Sequence, residues 1–405
     1  VLKAIKVRLY PTTAQEIALA KSFGCARWYY NYTLNACIQH YKETEKYFKL
    51  SVYKAYLPQL KVEHPWLKED CYSAVLQCVA INLNKAYTNF FEGRAKFPKF
   101  KSKHHKQSIQ YPQNVKVVDD CLEIPKIGVV KAVFHRPIEG KVKTVTISKT
   151  PTDKYFASIL LSVDGKNNQS SGDQTLGIDL GLKDFAIVHD GSHVTKHSNP
   201  KHLKRHEKNL ARKQKKLARK VKGSNSRNKY RKLVAKVHER VSNSRACFLH
   251  KLSRKLVDES KVIIVENLNV KGMVRNRKLS KSISDVGWGM FVNFLDYKLR
   301  RKDGQLVEIG RFFPSSKTCS CCGHVIDELT LDIREWDCPK CETRHDRDGN
   351  AALNIRNEGI RILSMGGGNP VLADGGCVRP PTRKGKGLRS MNSEAHTVPD
   401  RVGVG

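Results

Sequence analysis

Leu176-Gly177-Ile178-Asp179 is an apolar run that ends on a carboxylate, and the chain repeats the device at Val262-Ile263-Ile264-Val265-Glu266. A third acid, Asp348, opens Asp348-Gly349-Asn350-Ala351-Ala352-Leu353-Asn354-Ile355, which reads as the first turns of a helix. Short apolar runs of this kind fit buried strands. Two strand ends and a helix start can bring three carboxylates to one edge of a sheet. Hard divalent cations such as Mg²⁺ prefer carboxylate oxygens, and two of them can clamp the attacking and leaving oxygens of a phosphodiester. The pattern predicts metal-dependent phosphodiester hydrolysis.

Charge narrows the substrate. The 405 residues carry 74 Lys and Arg against 38 Asp and Glu, a formal net charge of +36. A chain this basic meets polyanions, because counterion release from phosphates drives the binding. An anionic membrane is the rival partner. Yet no apolar stretch approaches the roughly 20 residues a bilayer requires, and Val1-Leu2-Lys3-Ala4-Ile5-Lys6 does not read as a signal peptide. The expected partner is nucleic acid, in a reducing cytosol. The 12 cysteines do not form a disulfide framework. Cys25, Cys37, Cys71, Cys78 and Cys247 fall in helical patterns and are expected to be small buried side chains.

The length allows two to four domains. Residues 2–10 alternate as a strand, with Ile5, Val7 and Leu9 on one face, and stop at Pro11. From Thr12 to about Phe91 the pattern is helical, with Pro58, Pro65 and Trp66 marking a break between helices. Short strands follow at 115–118, 129–133, 142–147 and 155–163, so the first strand is parted from its sheet by helices. That order predicts an N-terminal β-barrel carrying an inserted helical lobe. A polar linker is expected at Asp164–Asp173, then a hairpin at Thr175–Val188 with a further turn at Asp190-Gly191. Between Lys201 and Arg240 stand 17 Lys and Arg against Glu207 and Glu239. Leu203, Leu210 and Leu217 lay a narrow seam along this basic segment, and Gly223-Ser224-Asn225-Ser226 breaks it into a hairpin. Charge this dense predicts contact with nucleic acid, with Arg212, Lys216, Arg219 and Lys220 as candidate phosphate ligands. One amphipathic helix is expected from Ser282 to Arg301, followed by a strand at 306–309 and, from about residue 366, a disordered basic tail.

Cys319 and Cys322 form one Cys-x2-Cys pair, Cys338 and Cys341 another, with 15 residues between them. This spacing predicts a closed, tetrahedral four-thiolate Zn²⁺ site with no open position for chemistry. Cys321 is a spare thiol, and His324 and His345 are alternative ligands. The cluster ends seven residues before Asp348, so it is placed to orient that helix.

With these motifs in order, the chain resembles TnpB, the protein of small bacterial insertion sequences related to type V CRISPR effectors. The resemblance rests on Lys6-Val7-Arg8-Leu9-Tyr10-Pro11 with Gln15, and on Phe97-Pro98-Lys99-Phe100. It extends through Gly177-Ile178-Asp179-Leu180-Gly181-Leu182-Lys183, Val265-Glu266-Asn267-Leu268, and Ser282-Ile283-Ser284-Asp285 with Trp288. The cysteine pairs and His345-Asp346-Arg347-Asp348-Gly349-Asn350 complete it. It implies an α+β multidomain protein. An oligonucleotide-binding-like wedge (1–11 and 98–170) would carry a helical recognition lobe (12–97). A RuvC-type, RNase H-like nuclease (171–310 and 346–365) would carry the zinc ribbon (311–345).

The resemblance also implies cleavage of double-stranded DNA chosen by a guide RNA from the transposon end, beside a short adjacent motif. Asp179, Glu266 and Asp348 match the catalytic positions. Two Mg²⁺ would bridge them, one activating water and the other steadying the leaving 3′ oxygen. Asp346 is then a helix-start acid and Asp184 a strand or turn residue. Gln77 is a candidate for reading the adjacent motif, as are Tyr30 and Tyr32 unless they pack between helices. The setting is the bacterial cytoplasm, at the nucleoid, and the protein is expected to be monomeric in its complex. Rival readings are a guide-dependent repressor that no longer cuts, and a strand transferase of transposition.

Overall fold

The computed structural model describes residues 2–48, 50–104, 106–163, 172–330 and 332–365. Most of the expected linker and the whole expected tail lie outside the described residues. β1 (Leu2–Tyr10) leads into four helices, α1 (Thr13–Thr44), α2 (Leu50–Glu63), α3 (Trp66–Glu69) and α4 (Ser73–Phe91). Thr12 and Gln15 cap α1 reciprocally, and the Gln15 amide also donates to the Val129 carbonyl at 2.7 Å. The Pro-Thr-x-x-Gln motif thus anchors the helical insertion to the sheet that it interrupts. Pro58 does not break a helix as expected. It lies inside α2, and the break falls at His64-Pro65. Buried Leu57 and Leu60 on either side of it hold the helix in place.

After the lobe come β2 (Gln107–Tyr111), β3 (Lys116–Val118), β4 (Cys121–Ile124), β5 (Gly128–Val133), β6 (Lys141–Lys149) and β7 (Tyr155–Ser162). They join β1 in a curled antiparallel sheet of order β2-β6-β7-β1-β5-β4-β3. β1 sits between β7 and β5, although 117 residues separate the end of β1 from the start of β5. Ile5, Val7 and Leu9 are buried, in one continuous core with Tyr29, Leu34 and Leu83 of the helical lobe. This is the oligonucleotide-binding-like wedge with its helical insert.

The second sheet is built from β8 (Gln174–Leu180), β9 (Asp184–His189) and β10 (Val194–Ser198), then, after the basic helices α5 (His202–Ala218) and α6 (Asn225–Glu259), β11 (Ser260–Glu266). Beyond α7 (Val270–Met273), α8 (Ser280–Val286) and α9 (Trp288–Arg300), β12 (Gln305–Ile309) closes it. Its order is β10-β9-β8-β11-β12, with β8, β11 and β12 parallel and β9 antiparallel to its neighbours. That is the RNase H-like arrangement. One face packs on α6, α8 and α9 through Ile178, Ile263, Val265, Leu252, Phe291 and Leu295.

The single amphipathic helix expected from Ser282 to Arg301 is instead two, α8 and α9. Gly287 at φ 77° parts them, a left-handed conformation that costs glycine little. Its bare backbone also admits the Arg245 side chain, whose guanidinium meets the Asp285 carboxylate at 2.7 Å. Asp285 in turn accepts from the Leu203 N–H at 2.7 Å, so the Ser-Ile-Ser-Asp motif caps the start of α5.

The chain continues through β13 (Glu335–Asp337) and β14 (Arg344–Asp346), an antiparallel pair beside the four cysteines, into α10 (Arg347–Met365). Among the described residues no helix is long and apolar enough to cross a membrane. Cys25, Cys37 and Cys71 are buried and Cys78 is half-buried, but Cys247 is exposed, on the outer face of α6. A basic helix offers little apolar neighbourhood in which to hide it.

A candidate carboxylate site beside a four-thiolate cluster

The sheet register brings the first two acids together. Ile178 pairs with Val265 across the parallel β8–β11 ladder, so Asp179 and Glu266 follow one step later at the same end. Alternation turns both away from the Ile178 and Val265 face, toward the face that α10 covers. α10 comes unusually close. A Cβ on Gly177 would overlap the Ala352 carbonyl oxygen and lie 2.7 Å from the Arg356 nitrogen, and one on Gly359 would strike the Ile264 side chain. Two glycines therefore let a helix lie almost backbone to backbone on the strands. Asp348, in the first turn of that helix, is drawn beside Asp179 and Glu266.

Electrostatics records the meeting. Burial, Glu266 and then Asp348 push the Asp179 carboxyl up to about 7, against relief from Arg347 and the Leu180 N–H. The Ser315 hydroxyl donates to Glu266 Oε1 at 2.5 Å. Arg334 Nη1 lies 3.3 Å from Asp348 Oδ2. Asp346 is engaged elsewhere. Its Oδ1 accepts from the Gly349 N–H at 2.8 Å, capping α10, and its Oδ2 meets Lys196 at 2.7 Å. These partners hold the Asp346 carboxyl below the usual range, against the opposing effect of partial desolvation. Asp184 opens β9.

The thiolates converge more tightly. The ligand atoms of Cys319, Cys322, Cys338 and Cys341 all lie within 4.8 Å of one another, with Cys319–Cys341 and Cys322–Cys338 sulfurs at 3.6 Å. Gly323 turns at φ 74° just after the first pair. Cys321 is exposed and outside the set. His345 is outside it too, but buried, with Nε2 3.1 Å from the Cys319 sulfur and its ring tilted against Trp336.

Segment 315–320, which leads into this cluster, is fastened to α10. Asn354 Nδ2 donates to the Ser315 and Thr318 carbonyls at 2.8 and 2.6 Å. Asn350 donates to Thr318 O at 2.8 Å and accepts from the Ser320 N–H at 3.0 Å. Sequence reading missed Ser315, Arg334 and both asparagines as members of the site. The only available signal was the spacing of Asn350 and Asn354, four apart on the face of Asp348's own helix.

The basic segment forms the expected helical hairpin, α5 and α6, turning at Gly223 with φ 87°. Leu210 is buried, and the seam continues into α6 at Val237 and Val241. Arg212, Lys216 and Arg219 are exposed, while Lys220 is half-buried with its ammonium 5.4 Å from the Tyr230 ring centre. In the helical lobe Gln77 is exposed. Tyr30 is buried beneath Lys101, and Tyr32 stacks on Trp28.

A family model described as "Probable transposase" matches residues 158–277, one described as "Cas12f1-like, TNB domain" matches 288–355, and one described as "Helix-turn-helix domain" matches 1–46. Over that last range the chain forms β1 and the single long helix α1. A protein of Streptomyces pristinaespiralis named as an RNA-guided DNA endonuclease is 36% identical over 374 residues, covering 91% of this chain and 92% of that protein. InsQ of Escherichia coli (strain K12), named likewise, is 29% identical over 384 residues, covering 90% and 94%. TnpB-like protein L770 of Acanthamoeba polyphaga mimivirus is 25% identical over 387 residues, covering 88% and 73%.

Proposed function

Because the chain belongs to the TnpB/Cas12f-like family of RNA-guided nucleases, we propose that it cuts double-stranded DNA selected by base pairing with a bound guide RNA. Asp179, Glu266 and Asp348 are its catalytic residues. The observation that supports this reading is the placing of three carboxylates from separate elements near one another, so that Glu266 and Asp348, acting after burial itself, raise the Asp179 carboxyl to about 7. A group so destabilised as an anion is suited to a cation. The donor set is all oxygen, which fits Mg²⁺, and the three acids would hold two such ions. When bound, these supply the charge that polarises phosphodiester oxygens and lowers the pKa of water.

Cys319, Cys322, Cys338 and Cys341 would hold one Zn²⁺, a closed set whose part is structural. The chain's other residues position the nucleic acids. The exposed cations of α5 would neutralise phosphates, and Gln77, exposed on α4, would contribute to reading the adjacent motif. The working division is a wedge (1–11 and 98–170), a lobe (12–97), a nuclease (171–310 and 346–365) and a ribbon (311–345). The protein would act as a monomer with its guide, at the bacterial nucleoid.

The test begins with the RNA that copurifies with the protein expressed from its native locus. A complex reprogrammed with a new guide should cut matching DNA only in Mg²⁺, and Asp179→Ala, Glu266→Ala or Asp348→Ala should each abolish cutting while retaining the guide. Asp346→Ala should still cut. Cleavage by Asp179→Ala near the wild-type rate would overturn the assignment, as would a dead Asp346→Ala beside a live Asp348→Ala.

A further inference from the structure

Glu266 is fixed by a residue outside the three carboxylates. The Ser315 hydroxyl is buried and donates to Glu266 Oε1 at 2.5 Å, across 49 residues of sequence. One carboxylate oxygen is thereby engaged, and rotation of the group about its terminal bond is restricted. Ser315 is itself held by backbone. Its carbonyl accepts from Asn354 Nδ2 at 2.8 Å, and the same amide reaches Thr318 O at 2.6 Å. Asn350, one turn nearer the start of α10, grips Thr318 and Ser320. Asn350 and Asn354 are both buried, and Asp348 stands on their helix.

Resting on the reading of the carboxylates as a cation site, we propose that segment 315–320 is a clasp, with Ser315 the positioning residue for Glu266. The clasp joins the end of β11 to the start of α10. It sets the separation of Glu266 from Asp348, and hence the fit of the cation between them. Cys319 lies within the clasp and belongs to the four-thiolate cluster. The thiolate site therefore acts on the carboxylate site through Ser315, Thr318 and Ser320, without contributing a ligand to it.

Hydrogen bonds to a charged group are among the stronger ones in proteins, and losing this one should weaken cation binding about 10-fold or more. The experiment is Mn²⁺ titration of the full-length chain, followed by electron paramagnetic resonance, for wild type, Ser315→Ala, Ser315→Thr, Glu266→Gln and the Ser315→Ala/Glu266→Gln pair. Metal content at the cysteines is measured alongside. Ser315→Ala should bind Mn²⁺ about 10-fold more weakly with its cysteine-bound metal intact, and Ser315→Thr, which keeps the hydroxyl, should recover most of the affinity. In the Glu266→Gln background the serine change should have little further effect, because the hydroxyl acts through that carboxylate. Unchanged Mn²⁺ affinity in Ser315→Ala would overturn the proposal. So would additive losses in the double variant, or a Thr variant as weak as Ala. If Glu266→Gln alone leaves Mn²⁺ binding untouched, the cation-site reading itself fails.

Discussion

Replacing Asp179 by Asn removes a charge that the folded protein holds at a cost. Its carboxyl moves from 3.8 to about 7, and roughly three units at 1.36 kcal/mol each come to about 4 kcal/mol. Asp179 is half-buried, so solvent screens part of this, and ~2–3 kcal/mol is the working magnitude. The raised pKa determines the direction. Between pH 3.8 and about 7 the unfolded chain has released a proton that the folded chain keeps, so stability falls as pH rises through that window. Above pH 7 the whole penalty stands. Asparagine carries no charge in either state. Asp179→Asn should therefore stabilise the protein in magnesium-free buffer, by roughly 1–2 kcal/mol more at pH 8 than at pH 5. Guanidinium unfolding at the two pH values reads this directly. Adding Mg²⁺ should reverse the ranking at pH 8, since the ion stabilises only the chain that binds it. A variant no more stable than wild type at pH 8, or equally favoured at pH 5, would refute the account of a strained carboxylate.

Two further outcomes are expected. Wild-type protein purified under reducing conditions should carry one zinc, which Cys338→Ser loses together with stability and which Cys321→Ser, altering an exposed thiol outside the cluster, retains; elemental analysis of the two variants separates these cases. Neutralising Arg212, Lys216, Arg219 and Lys220 should weaken nucleic-acid binding and flatten its salt dependence, by roughly 0.7–0.9 in the log–log slope for each phosphate that is no longer neutralised, while target choice is unchanged; an unaltered slope would make the hairpin a solvated face.

Features encoded locally were legible before the fold was known. Ile178 and Val265 announce buried strands because β-branched and aliphatic runs bounded by polar residues have few other uses, and the acids that end them mark the sheet edge. The cysteine pairs are legible for the same reason, since each knuckle is a local turn. β10 was missed because Val194-Thr195-Lys196-His197-Ser198 is mostly exposed and has no apolar face to read. The break at Gly287 was hidden because the apolar period of α8 continues into α9, and only the arrival of Arg245 from α6 explains a glycine there. Ser315 and Arg334 were invisible as site residues for a different reason. Their contacts join segments that only the tertiary fold brings together, and nothing in a loop's own composition marks which carboxylate it will meet.

The placement of Asp348 on α10 also sets an order of events during synthesis. A ribosome adds about 5–20 residues per second, and domains begin to fold as they emerge. The curled sheet is complete once β7 ends at Ser162, and the basic hairpin once α6 ends at Glu259, whereas the third acid arrives only at residue 348. The interval from Ser162 to Asp348 is roughly 10–40 s at those rates. In its last part, after Glu259, the nascent polypeptide carries a finished basic hairpin while its acidic cluster still lacks a member. On the proposed function, the basic hairpin thus matures before the carboxylate site, and a chain released early by a failed ribosome is left without its third acid.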